Sequence, residues 1–139
     1  MITESFENAT LNVLIIKAHF DNLIDSVKSF EDACRILKIE PAVPDVSSFL
    51  EERRLSVLAQ HKLEIIIKAL NEGWKPNWND NTQYKYYNWF NMNAGTFSSS
   101  GTDYNITYAN VPSALCFKNR ELAEYAGRTF INLYKDYLT

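Results

Sequence analysis

Few side chains in this sequence have the type and spacing that catalysis demands. The imidazoles are His19 and His61, and neither lies in an HxxxH, HxH or Cys/His pattern of the kind that holds a metal. Cys34 and Cys116 stand 82 residues apart without a CxxC motif, so zinc ligation is not indicated and spacing alone establishes no disulfide. Two free thiols in a reducing compartment are the simpler reading. The glycines are dispersed at 73, 95, 101 and 127, which leaves no GxSxG elbow and no phosphate-cradling loop. A hydrolase built on distant carboxylates such as Asp103 and Glu121 would need only convergence in space, but nothing in the sequence points to one. These observations favour a non-enzymatic protein with no cofactor and no bound metal.

Two constellations suit binding instead. The stretch from Trp74 to Phe117 holds all three tryptophans and eleven of the nineteen aromatic residues, with Lys75, Asp80, Lys85 and Asp103 as its charges. Trp78, Tyr84, Lys85, Tyr86, Tyr87 and Trp89 form its candidate binding surface. Flat aromatic faces stack on unpaired bases, each contact contributing roughly 1–3 kcal/mol. They also meet sugar rings, and they are enriched at protein interfaces, where they supply area and a polar handle. The competing structural reading is that these residues are strand formers packed beneath a helix. The second constellation is Lys118, Asn119 and Arg120. Cations are unfavourable at the positive end of a helix, so two of them there suggest an anion held between them, with Glu121 and Glu124 as the alternative neutralising partners.

Composition narrows the partners. At 139 residues the chain fits one domain with a real core, and 46% hydrophobic with 22% charged residues is ordinary for a folded protein. A net charge of -3 and a pI near 5.4 provide no general attraction for polyanions. The N-terminal segment has no basic region followed by a cleavage site, and the apolar run Leu11 to Phe20 is interrupted by Asn12, Lys17 and His19. The expectation is a cytoplasmic protein without a membrane span.

The elements that must position these residues read as α+β: helices over residues 1–72, then a small antiparallel sheet and a covering C-terminal helix over 73–139, all in one domain. Residues 10–28 fit two descriptions, because Val13, Ile16, Phe20, Leu23, Ile24 and Val27 make a helical stripe while Leu11 to Ile16 also suits a buried strand. Ser29 and Asp32 resemble a capping box opening a helix over 30–38, which Pro41 and Pro44 bring to a stop. Ser48 and Glu51 predict a second box, opening a helix over 48–72 that Gly73 closes with Trp74 folded back. Strands are predicted at 84–92, 104–109 and 114–117, with a flexible connection over 93–101. Alternation of Tyr104, Ile106 and Tyr108 places those three against the core. A final helix over 119–138 has Asn119 as its N-cap and Leu122, Ala126, Phe130, Leu133 and Tyr137 as its buried stripe.

Three blocks carry a resemblance: SFEDACRILKI (29–39), LNEGWKPNWNDNTQYKYYNWF (70–90) and LCFKNRELAEYAGRTFINLYKDYL (115–138). They resemble a family of uncharacterised proteins encoded by phages and prophages of gut Bacteroidetes, for which no reaction or ligand is established. The resemblance implies a genomic setting and covers most of residues 29–138. The functional expectation is therefore a small phage-associated accessory or binding protein that engages a protein partner, or itself, through the aromatic surface. The alternative is a single-stranded nucleic-acid binder using Tyr84, Tyr86, Trp89, Lys85, Lys118 and Arg120. Near-zero charge across the aromatic stretch favours protein over nucleic acid.

Overall fold

The computed structural model describes residues 2–93 and 97–139. Of the two descriptions open to residues 10–28, the helix is the one adopted: α1 runs from Ile2 to Ser26. Its last two turns belong to the core, with Leu23 and Val27 buried and Phe20 and Ile24 packed against the same cluster. The carbonyls at a helix end lack intrahelical partners. The one proton of the Tyr125 hydroxyl is shared there, between Ile24 O at 3.0 Å and, just past the helix, Val27 O at 2.5 Å.

Helix α2 (Phe30–Leu37) starts as expected at Ser29, whose Oγ accepts from the Asp32 N–H at 3.1 Å. The Asp32 carboxylate reaches past Ser29 to accept from the Lys28 N–H at 2.9 Å. Helix α3 (Glu51–Asn71) forms without the Ser48 box, because Leu50 occupies the cap position with no side-chain bond. Arg54 instead fixes the approach to the helix, donating to Phe49 O and Ser47 O at 3.1 Å each. At the other end Glu72 and Gly73 both adopt positive φ, 49° and 87°, and the Trp74 N–H closes onto Asn71 O at 2.9 Å. A side chain at 73 would meet no neighbour, so glycine is required there by backbone conformation alone.

The sheet differs from expectation in its second and third strands. Strand β1 (Lys85–Asn91) pairs antiparallel with β2 (Ser98–Asn105), from Lys85 opposite Asn105 to Trp89 opposite Gly101, and the register shifts between Trp89 and Phe90. Thus Ser98 to Gly101, expected as connection, is strand, and the strand expected over 104–109 ends at Asn105. Residues 94–96 of the expected connection lie outside the described residues. After Asn105 the chain is turned aside, with Asn105 Oδ1 accepting the Asn110 N–H at 3.1 Å. Tyr108 consequently stands 84% exposed, not in the core. The segment 114–117 is no strand: a 3-10 turn spans Ser113–Leu115, and Phe117 alone exchanges both backbone bonds with Tyr86, at 2.7 and 3.1 Å.

The single C-terminal helix divides at Phe130 into α4 (Arg120–Thr129) and α5 (Ile131–Leu138). Asn119 caps α4 as expected, Oδ1 accepting from the Leu122 N–H at 2.9 Å. The break alters the helical phase, so Tyr134 is buried while Leu133 and Tyr137 are half-buried. The α+β class holds: α3 packs on α2 and α5, α4 covers the hairpin, and one buried cluster joins Leu23 and Val27 to Leu63, Ile66, Leu70, Phe117, Leu122 and Tyr134.

Lys85 is the unexpected member of the interior. It is 0% exposed, and its Nζ donates to Asp80 O at 2.9 Å and Ile106 O at 3.0 Å, 5.3 Å from the Trp78 ring centroid. An ammonium without water requires such donors' partners in full, and each carbonyl left without its partner has a desolvation cost of its own. Lys85→Met should therefore lower stability by about 2–4 kcal/mol in urea unfolding. An unchanged midpoint would show that the two loops do not depend on this contact.

Candidate functional site

The two faces of β1 have different fates. Lys85 and Tyr87 point toward the loops 77–83 and 106–111, and both are buried, so neither belongs to the accessible surface expected of them. The physical reason is that these loops cover this face: Asp80 and Ile106 take the Lys85 ammonium, and Asn110 Nδ2 donates to the Tyr87 hydroxyl at 2.7 Å. Trp78 lies over Lys85 and is half-buried, its Nε1 donating to Ser113 Oγ at 2.9 Å. On the opposite face Asn88 donates to Ala123 O at 2.7 Å and accepts from Thr102 Oγ1 at 2.7 Å. Phe90 stacks between Phe97 and Tyr134.

What remains of the aromatic surface is at the two ends of the hairpin. At one end Tyr84 and Tyr104 stack with centroids 4.2 Å apart and planes 8° from parallel, and Tyr86 meets both edge-on. The Arg120 guanidinium lies 5.4 Å from the Tyr86 centroid and donates to Thr102 O at 2.8 Å. Tyr104 was not among the expected surface residues, since its exposure follows from lying opposite Tyr86 across the hairpin, a register set by a turn the sequence does not announce. At the other end Trp89 is 48% exposed and rests on Gly101, where a Cβ would come within 2.8 Å of the indole.

Lys118, Asn119 and Arg120 are adjacent in sequence but point to different partners. Lys118 Nζ pairs with Glu72 at 3.0 Å, Asn119 caps α4, and Arg120 turns to the hairpin. Glu72 also binds His19 Nε2 through both carboxylate oxygens at 2.9 Å, tying α1 to the end of α3. Burial pushes the Glu72 carboxyl upward, but the hydrogen bonds and charges of His19 and Lys118 outweigh it and hold the group below the usual carboxylate range.

A groove of about 620 Å³ opens between α3 and the segment 73–76, walled by Ile65, Trp74, Pro76 and Ala114 with Lys68 and Lys75 at its rim. Its polar residues are engaged: His61 Nε2 donates to Ala42 O at 3.0 Å, and Asn71 bonds Cys116 O at 2.8 Å and the Lys118 N–H at 3.1 Å. Cys34 and Cys116 are unpaired and buried. Among the described residues no three His, Cys, Asp or Glu side chains come together in a way that would hold a metal.

The densest run of exposed large apolar side chains among the described residues lies elsewhere, on α1, outside the site expected from the sequence. Every residue from Ser5 to His19 of α1 is exposed, including Phe6, Leu11, Val13, Leu14, Ile15 and Ile16, each more than half so. Soluble surfaces rarely gather such side chains without a partner. Among the described residues no helix is long and apolar enough to cross a membrane. The signal was present in the sequence as an apolar run, but whether the fold covers it is decided in three dimensions.

No protein-family model, curated protein or solved structure matches this chain. The candidate sites therefore rest on geometry alone.

Two outcomes follow from these arrangements. Lys85 is buried and Lys118 is paired, so oligo-dT should not quench tryptophan fluorescence at either low or physiological salt, and salt-dependent quenching would restore the nucleic-acid reading. Burial pushes the Cys116 thiol up to about 11 from 9.0, partly offset by the Lys85 charge. A folded pKa above the unfolded one stabilises fully below pH 9 and is lost as pH rises toward 11. The urea midpoint should fall over that window, and less steeply in Cys116→Ala.

Proposed function

We propose that the protein is a small, non-enzymatic interaction module that engages a protein partner or further copies of itself, and that α1 carries the contact. The single observation behind this reading is the bare apolar surface of α1 from Phe6 to Ile16. An isolated helical stretch of this length is marginal in water, and Thr10, Asn12, Val13, Ile15 and Ile16 are weak helix formers, so packing from outside the chain must hold it. The exposed hairpin ends, Tyr84 with Tyr104 and Trp89, extend the surface available to a partner, and they are what survives of the aromatic patch. A cytoplasmic setting and a phage or prophage origin belong to the same proposal, supported by the sequence resemblance.

The test is site-specific photo-crosslinking in cells that carry the gene. A photoreactive residue at Ile16 should give a discrete adduct, whereas one at the exposed Lys135 of α5 should not. No adduct from position 16 would remove α1 as the contact.

A further inference from the structure

The apolar seam of α1 does not stop where the core stops. Val27, Leu23 and Phe20 are inside or against the core, and Ile16, Val13, Ala9 and Phe6 continue the same line outward at alternating steps of four and three residues. Alternation of this kind is a coiled-coil seam, whose partner is another helix of matching pitch. The residues flanking its exposed part, Thr10, Asn12, Lys17 and His19, include no acidic group. A seam so nearly neutral places little repulsion between two copies.

Charge along the axis selects the direction. Glu7 lies near the outer end of the exposed segment, and Lys17 and His19 lie near the body of the protein. A parallel pair would set the two Lys17 side chains at the same level of the axis. An antiparallel pair in which Phe6 faces Ile16, and Ala9 faces Val13, matches every layer of the seam with itself reversed. In that register the two Lys17 side chains are twelve residues apart, about 18 Å along the axis and beyond the screening length at physiological salt. The layers are also well filled, two large pairs outside and two Ala–Val pairs between them. Antiparallel pairing further places the two folded bodies at opposite ends, where they cannot collide.

We infer that α1 pairs with α1 of a second copy of this chain, antiparallel, through Phe6, Ala9, Val13 and Ile16. The inference rests on the reading of α1 as an interaction helix and names its occupant. Leu11, Leu14, Ile15 and Ala18 form a second apolar face on the reverse side, so two such pairs can stack back to back.

The full chain is measured by light scattering after gel filtration from 1 to 100 μM. The expected mass is two or four times 16.1 kDa, and Val13→Glu with Ile16→Glu should yield a monomer of unchanged helical fold at the domain core. Direction is read by disulfide trapping with oxidised glutathione, which is specific because Cys34 and Cys116 are buried. Phe6→Cys with Ile16→Cys should link two chains, and Val13→Cys alone should not. Linkage through Val13→Cys, an odd number of copies, or an assembly that survives the double Glu substitution would overturn the inference. A monomer at 100 μM would overturn it too. In that case an Ile16 adduct to a different protein keeps the interaction reading, and absence of any adduct ends both.

Discussion

The C-terminal half of this protein depends on one dehydrated ammonium. Lys85 is held by carbonyls from two separate loops and lies against the Trp78 ring, and no buried side-chain polar atom among the described residues is left without a partner. A cation removed from water is tolerated only when other groups replace its hydration, and here two carbonyls and an aromatic face do so. Holding Asp80 and Ile106 at once draws the loops 77–83 and 106–111 over one face of β1. That cover buries Tyr87 and reaches Ser113 through Trp78. Thr82 hydrogen bonds hold the Asp80 carboxyl below its usual range, with the Lys85 charge adding to the effect, so the loop that supplies the carbonyl is itself ordered.

A two-stranded hairpin is marginal alone, and here it is made part of a domain by packing on both faces. One face has the Lys85 loops. The other has Asn88, which bridges β2 and α4, and Phe90, which reaches Tyr134 of α5. The helical half joins through Asn71, whose amide spans Cys116 and Lys118, and through Tyr125, which caps the end of α1. These side-chain bridges, with the His19–Glu72 pair, hold α1 at its inner end, and the stretch from Ser5 to Ala18 stays exposed beyond them. The rigid anchor and the bare extension together make α1 suited to presenting a surface.

Local physics was legible in the residues. Ser29 and Asn119 cap their helices as their types and positions require, Gly73 takes the positive φ that ends α3, and β1 falls where tyrosines and tryptophan replace charged residues. Where the reading failed, contacts that residue type and periodicity do not announce had won. The Ser48 box stays unformed while Arg54 binds the carbonyls ahead of α3, Asn105 ended a strand whose alternation ran on to Tyr108, and Phe130 interrupted a continuous helical stripe. The candidate site was read less well for the same reason. A lysine between tyrosines looks solvated in sequence, and nothing near it in the chain announces that Ile106, twenty-one residues away, will bury it.

By itself the sequence determined most of the helical segments, the first strand, the Ser29 and Asn119 caps and the α+β class, because these depend on periodicity and on neighbours within a few residues. Only the tertiary structure decided which aromatic and apolar side chains stay in contact with water. Exposure depends on what folds over a residue from far along the chain, and that placed Lys85 and Tyr87 inside, Tyr84, Tyr104 and Trp89 at the edges, and the apolar face of α1 outside any cover this chain provides.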